Sequence, residues 1–313
     1  MLNCKICNYK QIKFFHKIKI YSYYLCARCQ TLFLTPIPSS SNIANFYKKN
    51  FQYPAGVTNE KLIRFRASVI LKNLKKMNSN GKTLLDIGSG FGYFIDEAQK
   101  IDLKVTGIEP SKNLFSTLNK HLIKVEIKNL DFEQYYAQNT LKKFDFVTII
   151  HTIEHVRNPK TIINKALKLL KPGGVLYIET PNLDSHLFRV EKYNYTFLTP
   201  PDHIWLFSKK SFHYILQDNL KIQIEKISSY SFPEHFMGIL KYFFKKRILT
   251  GHPEFISGSE SKKQMLKLVQ HDKKRTLTSF KYLVVDKFFA PLLTPLLNLG
   301  IYGSILELYI RKK

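Results

Sequence analysis

A short apolar strand that leads directly into a glycine-rich turn is the feature that most constrains this chain. Residues 84–94 read LLDIGSGFGYF, with three glycines spaced G-x-G-x-G and a helical pattern after them. Glycine lets the backbone pass close to a ligand and adopt conformations that a Cβ atom would forbid. The next strand, 104–108, ends in Glu109, about twenty residues further on, where a carboxylate can bind a ribose hydroxyl pair. The pattern therefore predicts a nucleoside cofactor.

The glycine spacing narrows the kind of nucleoside. Dinucleotide sites use G-x-G-x-x-G, in which the third glycine lets the helix pack closely on the strand. Here the third glycine, Gly92, comes one residue early, and the sequence contains no G-x-x-x-x-G-K-[ST] phosphate loop. Taken alone, this turn could also be an ordinary tight connection between a strand and a helix. The segments that follow decide between that interpretation and a nucleoside site.

Four segments occur in a defined order along the chain. They are 84–94, 107–110 (GIEP), 144–159 (FDFVTIIHTIEHVRNP) and 169–182 (LLKPGGVLYIETPN). With these motifs the chain resembles the class I S-adenosylmethionine-dependent methyltransferases over roughly residues 80–230. The resemblance implies an α/β fold with a Rossmann-like, seven-stranded methyltransferase sheet, helices on both faces and an antiparallel final strand.

The resemblance also implies a site for S-adenosylmethionine. The glycines of the turn would surround the methionine part, Glu109 would bind the ribose hydroxyls, and residues 130–132 would lie against the adenine. The implied cofactor-binding residues are Asp86, Gly88, Ser89, Gly90, Gly92, Glu109, Leu130 and Asp131.

All four cysteines lie in the first thirty residues. The pairs Cys4/Cys7 and Cys26/Cys29 give the spacing C-x2-C-x18-C-x2-C, which is typical of a structural zinc site. Four thiolates complete a tetrahedron with no open position, so the ion would stabilise the fold and take no part in catalysis. A segment of about thirty residues would draw its folding energy from the metal. Disulfides, free thiols and a rubredoxin-like iron site are the alternatives, and a reducing cytoplasm disfavours disulfides.

The predicted strands and helices outline five regions. Residues 1–36 form the zinc ribbon, and 37–80 form a linker with N-terminal helices. From 81 to 230, strands alternate with helices as in parallel βαβ units, which predicts the S-adenosylmethionine-binding core. Residues 231–300 contain basic and aromatic clusters with prolines and are predicted as a helical lid or insertion. Residues 301–313 contain the final antiparallel strand.

Polar residues follow the predicted strand 144–150 at the expected crevice. His151 ends this strand, and Glu154 and His155 share its face if the turn is helical. Two imidazoles and a carboxylate predict a proton relay, because a histidine of ordinary pKa, ~6.5, accepts a proton at neutral pH. Alternatively, Glu154 and His155 orient the loop, and His151 shapes the floor of the cofactor site. His203 resembles a histidine found before this helix in many family members and would face the acceptor, unless it is structural.

Charge and apolar patterning bear on the partner. The net charge of +26 suits nucleic acid, anionic lipid or an acidic substrate, but the basic residues are mostly lysine, as an AT-rich genome also produces. Residues 288–306 carry no charged side chain, yet prolines and glycines interrupt them. This pattern favours a lid at an anionic membrane surface, or a cap buried on the sheet, over a bilayer span. No signal peptide is visible, so we expect a cytoplasmic protein that can associate with the inner membrane face.

These observations predict an S-adenosylmethionine-dependent methyltransferase that acts on a small-molecule acceptor. The pairing of ribbon and methyltransferase domain resembles sugar methyltransferases and enzymes of surface-polysaccharide synthesis, which favours a sugar or lipid-linked glycan. A quinone-type O-methyltransferase is one alternative, because of the apolar insertion. An RNA methyltransferase with a zinc-ribbon RNA-binding module is another, although arginine is scarce and nucleic acid is therefore the less favoured partner. A degenerate scaffold is disfavoured by the intact glycines and Glu109.

Overall fold

A computed structural model describes residues 2–39, 41–43, 46, 60–122, 125–232 and 302–313 of the chain. The strands are β1 (Ile12–Ile18), β2 (Tyr21–Cys26), β3 (Leu32–Thr35), β4 (Thr83–Ile87), β5 (Lys104–Ile108), β6 (Glu126–Lys128), β7 (Phe144–Ile150), β8 (Leu170–Pro181), β9 (Trp205–Leu206), β10 (Ile222–Tyr230) and β11 (Ile305–Lys312). The helices are α1 (Glu60–Met77), α2 (Tyr93–Gln99), α3 (Lys112–His121), α4 (Phe132–Gln138), α5 (Pro159–Lys168), α6 (His186–Glu191) and α7 (Lys209–Leu216), with a 3-10 turn at Lys192–Asn194.

The larger of two sheets has seven strands in the order β10-β11-β8-β7-β4-β5-β6. The five strands from β8 to β6 are parallel to one another. Lys312 Nζ, at the end of β11, donates to the carbonyl oxygen of Leu170 at the start of β8. Glu307 accepts from the Tyr177 hydroxyl further along the same pair, so β11 runs antiparallel to β8. The predicted Rossmann-like, seven-stranded sheet with flanking helices is confirmed.

The winding of this sheet reverses at β4. The chain continues from β4 to β5 and β6 on one side, and then returns to β7 and β8 on the other. Leu84, Leu85 and Ile87 of β4 are buried, which fits a strand covered on both faces. In open sheets of this kind, ligands bind beyond the carboxyl ends of the strands where the winding reverses.

Side-chain caps fix where several helices begin. Ser111, Asp131, Asn158 and Ser208 each accept a hydrogen bond from a backbone N–H three residues ahead, at the starts of α3, α4, α5 and α7. Pro159 occupies the first helical position of α5, where its missing N–H costs nothing. Because α3, α4 and α5 each follow a parallel strand, their first turns lie along the carboxyl edge of the sheet.

The smaller sheet has four strands in the order β1-β2-β3-β9. Strand β3 pairs with β9, with Leu32 opposite Leu206 and Phe33 opposite Trp205. The N-terminal strands are therefore joined by main-chain hydrogen bonds to a segment that comes after the parallel strands of the large sheet.

The chain folds into two compact units. The first comprises Met1–Leu183, Phe197–Ser228 and Leu306–Lys313. The described residues of the second are 184–196, 229–232 and 302–305. The glycine turn after β4 and the polar residues after β7 belong to the first unit.

Some element boundaries differ from the sequence prediction. The sequence favours a helix over 160–170 that stops at the KPGG of 171–174. In the structure α5 ends at Lys168, and KPGG forms the early part of β8. The pairing register of β7 and β8 shifts between Phe144 and Phe146, which accommodates the extra residues as a bulge. Short elements such as α4, α6, β3 and β9 were not predicted, because a few residues give little periodicity.

Residues 233–300 of the predicted insertion lie outside the described residues, and these include the basic cluster at 241–247. Residues 288–301 of the uncharged stretch also lie outside them. The helical lid over 231–300 therefore stays a prediction. Within the part of the chain that the structure describes, every helix is too short or too polar to cross a bilayer.

Candidate functional site

The turn between β4 and α2 is built from three glycines with left-handed backbone angles. The angle φ is 82° at Gly88, 53° at Gly90 and 80° at Gly92. A Cβ atom at Gly88 would collide with the Thr152 side chain, and one at Gly92 with Leu118, so packing requires both glycines. A Cβ atom at Gly90 would meet no atom of the described residues within 4 Å. Among these residues the backbone at Gly90 therefore faces open space, as a cradle for a bound molecule requires.

The carboxylate of Glu109 lies beside this open backbone. The Gly90 N–H donates to Oε2 at 2.9 Å, and the Ser111 N–H donates to Oε1 at 2.8 Å. Burial raises the pKa of Glu109 to about 7, although the two N–H groups act in the opposite direction. A carboxylate oxygen accepts more than one hydrogen bond, so both oxygens retain capacity for hydroxyl donors. The chain thus holds the carboxyl group of Glu109, which can orient a bound molecule, next to the open backbone of Gly90.

Asp86 and Ser89 support the turn from beneath. Asp86 is buried, and its Oδ1 accepts a hydrogen bond of 2.7 Å from the Thr148 hydroxyl of β7. Burial raises its pKa to about 6. The Ser89 hydroxyl donates to the Asp86 carbonyl oxygen at 3.3 Å. These contacts hold the glycine turn against β4 and β7.

Leu130 and Asp131 lie in the loop between β6 and α4. Asn129 Nδ2 donates to the carbonyl oxygen of Glu109 at 2.8 Å, which fixes this loop next to the orienting acid. Asp131 Oδ1 accepts from the Gln134 N–H at 2.8 Å and caps α4. Asp131 therefore has a capping role that the sequence interpretation does not include, and its place beside an adenine stays a prediction.

His151 follows β7 with a left-handed φ of 46°. Its ring lies between two carboxylates, with Nδ1 3.4 Å from Glu154 Oε1 and Nε2 3.2 Å from Glu179 Oε1. Burial lowers the pKa of His151, but the two carboxylates outweigh it and raise that pKa to about 10. His151 is therefore a cation at neutral pH, which favours an electrostatic role over the predicted role of proton acceptor.

Glu154 is a fully buried carboxylate with unequal oxygens. The Thr180 hydroxyl donates to Oε2 at 2.9 Å, whereas Oε1 has no hydrogen-bond partner among the described residues. The N–H groups of Ile204 and Trp205 donate to the Glu154 carbonyl oxygen at 2.9 and 3.0 Å. These two backbone bonds join the loop after β7 to the loop before α7.

His155 and His203 lie in these two loops, with their ring centroids 4.8 Å apart. His155 Nδ1 is 2.9 Å from Asp202 Oδ1 and 3.0 Å from the Asp202 carbonyl oxygen. His203 Nδ1 is 2.8 Å from the Phe197 carbonyl oxygen. Burial lowers the pKa of both imidazoles, but Asp202 reverses this for His155 and raises its pKa, whereas His155 lowers the pKa of His203 further. The pKa of His203 therefore lies below its ordinary value, so His203 is neutral at pH 7.

Sequence reasoning missed the acids that orient these histidines. Asp202 precedes His203 directly, so an acid near the site was visible, but its partner is His155, 47 residues earlier. Glu179, near the end of β8, sits at the same sheet edge as His151 because β7 and β8 are parallel neighbours. Its position in the ETPN segment was a usable signal, since strand ends at this edge converge.

The four cysteine thiols converge in the N-terminal sheet. The Sγ atoms of Cys4 and Cys29 are 3.5 Å apart, and those of Cys7 and Cys26 are also 3.5 Å apart. All four sulfur atoms lie within 4.8 Å of one another, and none is in a disulfide. Sulfur ligands at about 2.3 Å from a tetrahedral zinc ion lie roughly 3.8 Å apart, so the arrangement fits such an ion.

The two cysteine pairs sit on matching turns. The Asn8 N–H donates to the Cys4 carbonyl oxygen at 2.8 Å, and the Gln30 N–H donates to the Cys26 carbonyl oxygen at 3.1 Å. Asn8 and Gln30 occupy the same place in each turn and have left-handed φ angles of 58° and 55°. Each turn directs its two thiols toward those of the other.

Comparison with known proteins identifies a family and several relatives. A family model described as a methyltransferase domain matches residues 59–219, about half of the chain. The ubiquinone biosynthesis O-methyltransferase of Dechloromonas aromatica (strain RCB) is 34% identical over 116 residues, 35% of this chain and 50% of that protein. The protein of that name from Hydrogenovibrio crunogenus is 34% identical over 104 residues, 32% of this chain and 43% of that protein. The chain spans about half the length of the curated relatives it matches.

A solved structure also resembles the chain. The plantazolicin methyltransferase BpumL, in complex with SAH, superimposes with a TM-score of 0.50 at 16% identity, covering 89% of this chain and 91% of that one. At this identity the likeness supports the fold. The glycine turn, Glu109 and the histidine cluster all lie within the matched residues 59–219, whereas the cysteines lie outside them.

Proposed function

The chain belongs to the methyltransferase-domain family, and on that premise we propose that it transfers a methyl group from S-adenosylmethionine to a small-molecule acceptor. The observation that carries the proposal is the open backbone at Gly90 beside the buried carboxylate of Glu109. Glu109 would accept hydrogen bonds from the ribose hydroxyls, and the glycine turn would let the methionine part approach the main chain. When bound, S-adenosylmethionine supplies an electrophilic methyl group on a sulfonium.

The polar cluster beyond β7 would bind the acceptor. Methyl transfer to a hydroxyl requires that the acceptor be aligned and that its proton be removed. His155 and His203 supply basic nitrogen atoms for this purpose, and His151 supplies a positive charge that attracts an oxygen atom as it becomes anionic. Glu154 orients the cluster, because its carbonyl oxygen joins the two loops that carry the histidines.

The names of the relatives bear on the acceptor. Both relatives described above are named ubiquinone biosynthesis O-methyltransferases, which favours the quinone-type acceptor over a sugar or a lipid-linked glycan. We therefore propose a ring hydroxyl as the methylated group, with glycans as the second class to test. RNA has the weakest support, since the excess of positive charge is mostly lysine. An anionic membrane surface stays a prediction, because most of the uncharged stretch that suggested it, residues 288–301, lies outside the described residues.

We further propose that Cys4, Cys7, Cys26 and Cys29 hold one structural zinc ion. The convergence of four thiols on two matching turns supports this assignment. A site with four protein ligands has no position for substrate, so the ion would stabilise the N-terminal sheet.

Calorimetry and a transfer assay test the function. We expect the full chain to bind S-adenosylmethionine and its demethylated product. With isotope-labelled methyl donor, we expect label to appear in catechol-type quinone precursors and to be absent from nucleotide sugars, lipid-linked glycans and ribosomal RNA. If neither S-adenosylmethionine nor its demethylated product gives a binding heat, the methyltransferase proposal is rejected. Label in a glycan or in RNA would reject only the proposed class of acceptor.

A further inference from the structure

We propose that Glu154, His155 and His203 form a binding site for one divalent transition-metal ion, separate from the cysteine site. One carboxylate oxygen and one ring nitrogen of each histidine lie within 4.8 Å of one another, and all three residues belong to the same compact unit. Two imidazoles and one carboxylate form a ligand set that takes zinc, iron or manganese and leaves coordination positions open. Metal binding itself does not depend on the proposed function, but the use of the ion in methyl transfer does.

The first observation is the weak pairing of Glu154 Oε1. This carboxylate is completely shielded from solvent, yet among the described residues Oε1 forms no hydrogen bond, and the His151 cation lies 3.4 Å from it. A buried carboxylate oxygen without a hydrogen bond is costly, and a metal ion at bonding distance would compensate it more closely than this imidazole does. The other oxygen is held by the Thr180 hydroxyl at 2.9 Å, which fixes the direction in which Oε1 points.

The second observation is the orientation of the two imidazoles. Both Nδ1 atoms face oxygen acceptors, Asp202 for His155 and the Phe197 carbonyl for His203. Because a carbonyl oxygen can only accept, Nδ1 carries the hydrogen in each ring, and Nε2 holds the lone pair of the neutral form. Histidine ligands of metal ions characteristically donate their second ring nitrogen to a carboxylate or a carbonyl in this way.

The spacing is compatible with one ion after a small contraction. His155 Nε2 lies 4.0 Å from Glu154 Oε1. Ligands about 2.0–2.2 Å from a common ion lie roughly 3–3.5 Å apart, so each side chain would move by less than about an ångström. His151 Nδ1, 3.4 Å from the same oxygen, is the neighbour that an ion would displace, and it would keep its contact with Glu179.

The ion would change how the proposed reaction is assisted, because His155 and His203 would then act as its ligands, and the ion would take over activation of the acceptor hydroxyl from the two imidazoles. Three protein ligands leave room for an oxygen atom of the acceptor. A bound divalent ion lowers the pKa of a coordinated hydroxyl and orients it. The inferred acceptor is therefore a molecule with a hydroxyl that can bind a metal, such as a ring with two adjacent hydroxyl groups.

Manganese binding to the full chain tests the site. Mn²⁺ prefers nitrogen and oxygen ligands, so it should not displace zinc from four thiolates. We expect one equivalent of Mn²⁺ to bind, measured by the loss of the free-ion electron paramagnetic resonance signal. After equilibration with zinc, we expect two equivalents of zinc in total by elemental analysis.

Variants assign the second ion to the cluster. Glu154→Gln and His203→Ala should each weaken Mn²⁺ binding at least tenfold, whereas His213→Ala, on the exposed face of α7, should leave it unchanged. Circular dichroism checks that each variant is folded. If His203→Ala does not fold, the isosteric variant Glu154→Gln tests the site by itself. The proposal is overturned if wild type binds neither Mn²⁺ nor a second zinc, or if both cluster variants bind like wild type. Calorimetry with S-adenosylhomocysteine on the same samples separates a failure of this site from a failure of the methyltransferase proposal.

Discussion

The hydroxyl of Tyr23 donates a hydrogen bond of 2.7 Å to the carbonyl oxygen of His203. Tyr23 is fully buried in β2 of the N-terminal sheet, and His203 belongs to the histidine cluster. Together with the pairing of β3 and β9, this bond fixes the backbone of the loop before α7. The N-terminal sheet thus supports the loop that carries His203.

Tyr23→Phe should weaken the acceptor side of the site selectively. The change leaves a buried carbonyl oxygen without its donor, so we expect the free energy of unfolding to fall by about 1–3 kcal/mol. We expect the acceptor KM to rise while the affinity for S-adenosylhomocysteine stays the same. Tyr9→Phe is the matched control, because its hydroxyl bonds Gln11 at an exposed position. Equal loss of cofactor affinity would show that Tyr23 acts only through general stability.

Glu109→Gln should remove most of the cofactor affinity and all of its pH dependence near neutrality. Burial raises the pKa of Glu109 to about 7, so the carboxylate becomes protonated as the pH falls below that value. Wild-type affinity for S-adenosylhomocysteine should therefore fall by up to about tenfold per pH unit below 7. Calorimetry between pH 5.5 and about 8.5 measures this slope. Glu133→Gln, on the exposed face of α4, should retain the wild-type profile, and a sloping profile in Glu109→Gln would contradict the assignment.

Gly90→Ala and Gly88→Ala should fail in different ways. A methyl group at Gly90 meets no atom within 4 Å in the part of the chain that the structure describes, so Gly90→Ala should fold and lose only about 1 kcal/mol for its left-handed backbone. It should nevertheless bind S-adenosylhomocysteine at least tenfold more weakly, because the methyl group enters the cradle. Gly88→Ala collides with Thr152 and should lose far more stability, measured by urea unfolding. Normal cofactor binding by Gly90→Ala would place the cofactor elsewhere.

Cys29→Ser should remove one equivalent of tightly bound zinc. It should also make the start of α7, next to the candidate acceptor site, less ordered. The carbonyl oxygen of Cys29 accepts from the hydroxyls of Ser208 and Ser211 at the start of α7, so disorder in the cysteine turns would reach this helix. Elemental analysis gives the zinc content, and proteolysis should cut the N-terminal sheet faster in the variant. Folded protein with no zinc in the wild type would refute the structural-zinc proposal.

The cofactor side of the site was predictable because its determinants are local. The strand before Gly88, the positive φ angles and the acid at the end of β5 all follow from short motifs whose backbone requirements are strict. Asp131 shows the limit of this reasoning. Its position next to α4 gives it a capping role that can be recognised only when the start of the helix is known.

For the candidate acceptor site, the sequence predicted which residues take part but not how they pair. The sequence placed His151, Glu154 and His155 together, since they share one turn after β7. The pairing of His155 with Asp202 depends on two loops held together by backbone bonds to Glu154, which no spacing rule contains. The charge on His151 likewise depends on Glu179, contributed by a neighbouring strand.

The partnership of β3 with β9 also constrains how the protein is made. Residues 32–35 leave the ribosome long before residues 205–206, so the edge of β3 stays open during most of synthesis. An unpaired edge strand invites pairing with other chains. We expect the nascent N-terminal sheet to depend on chaperones, or on early metal capture by its cysteines, until the late-emerging strand closes that edge.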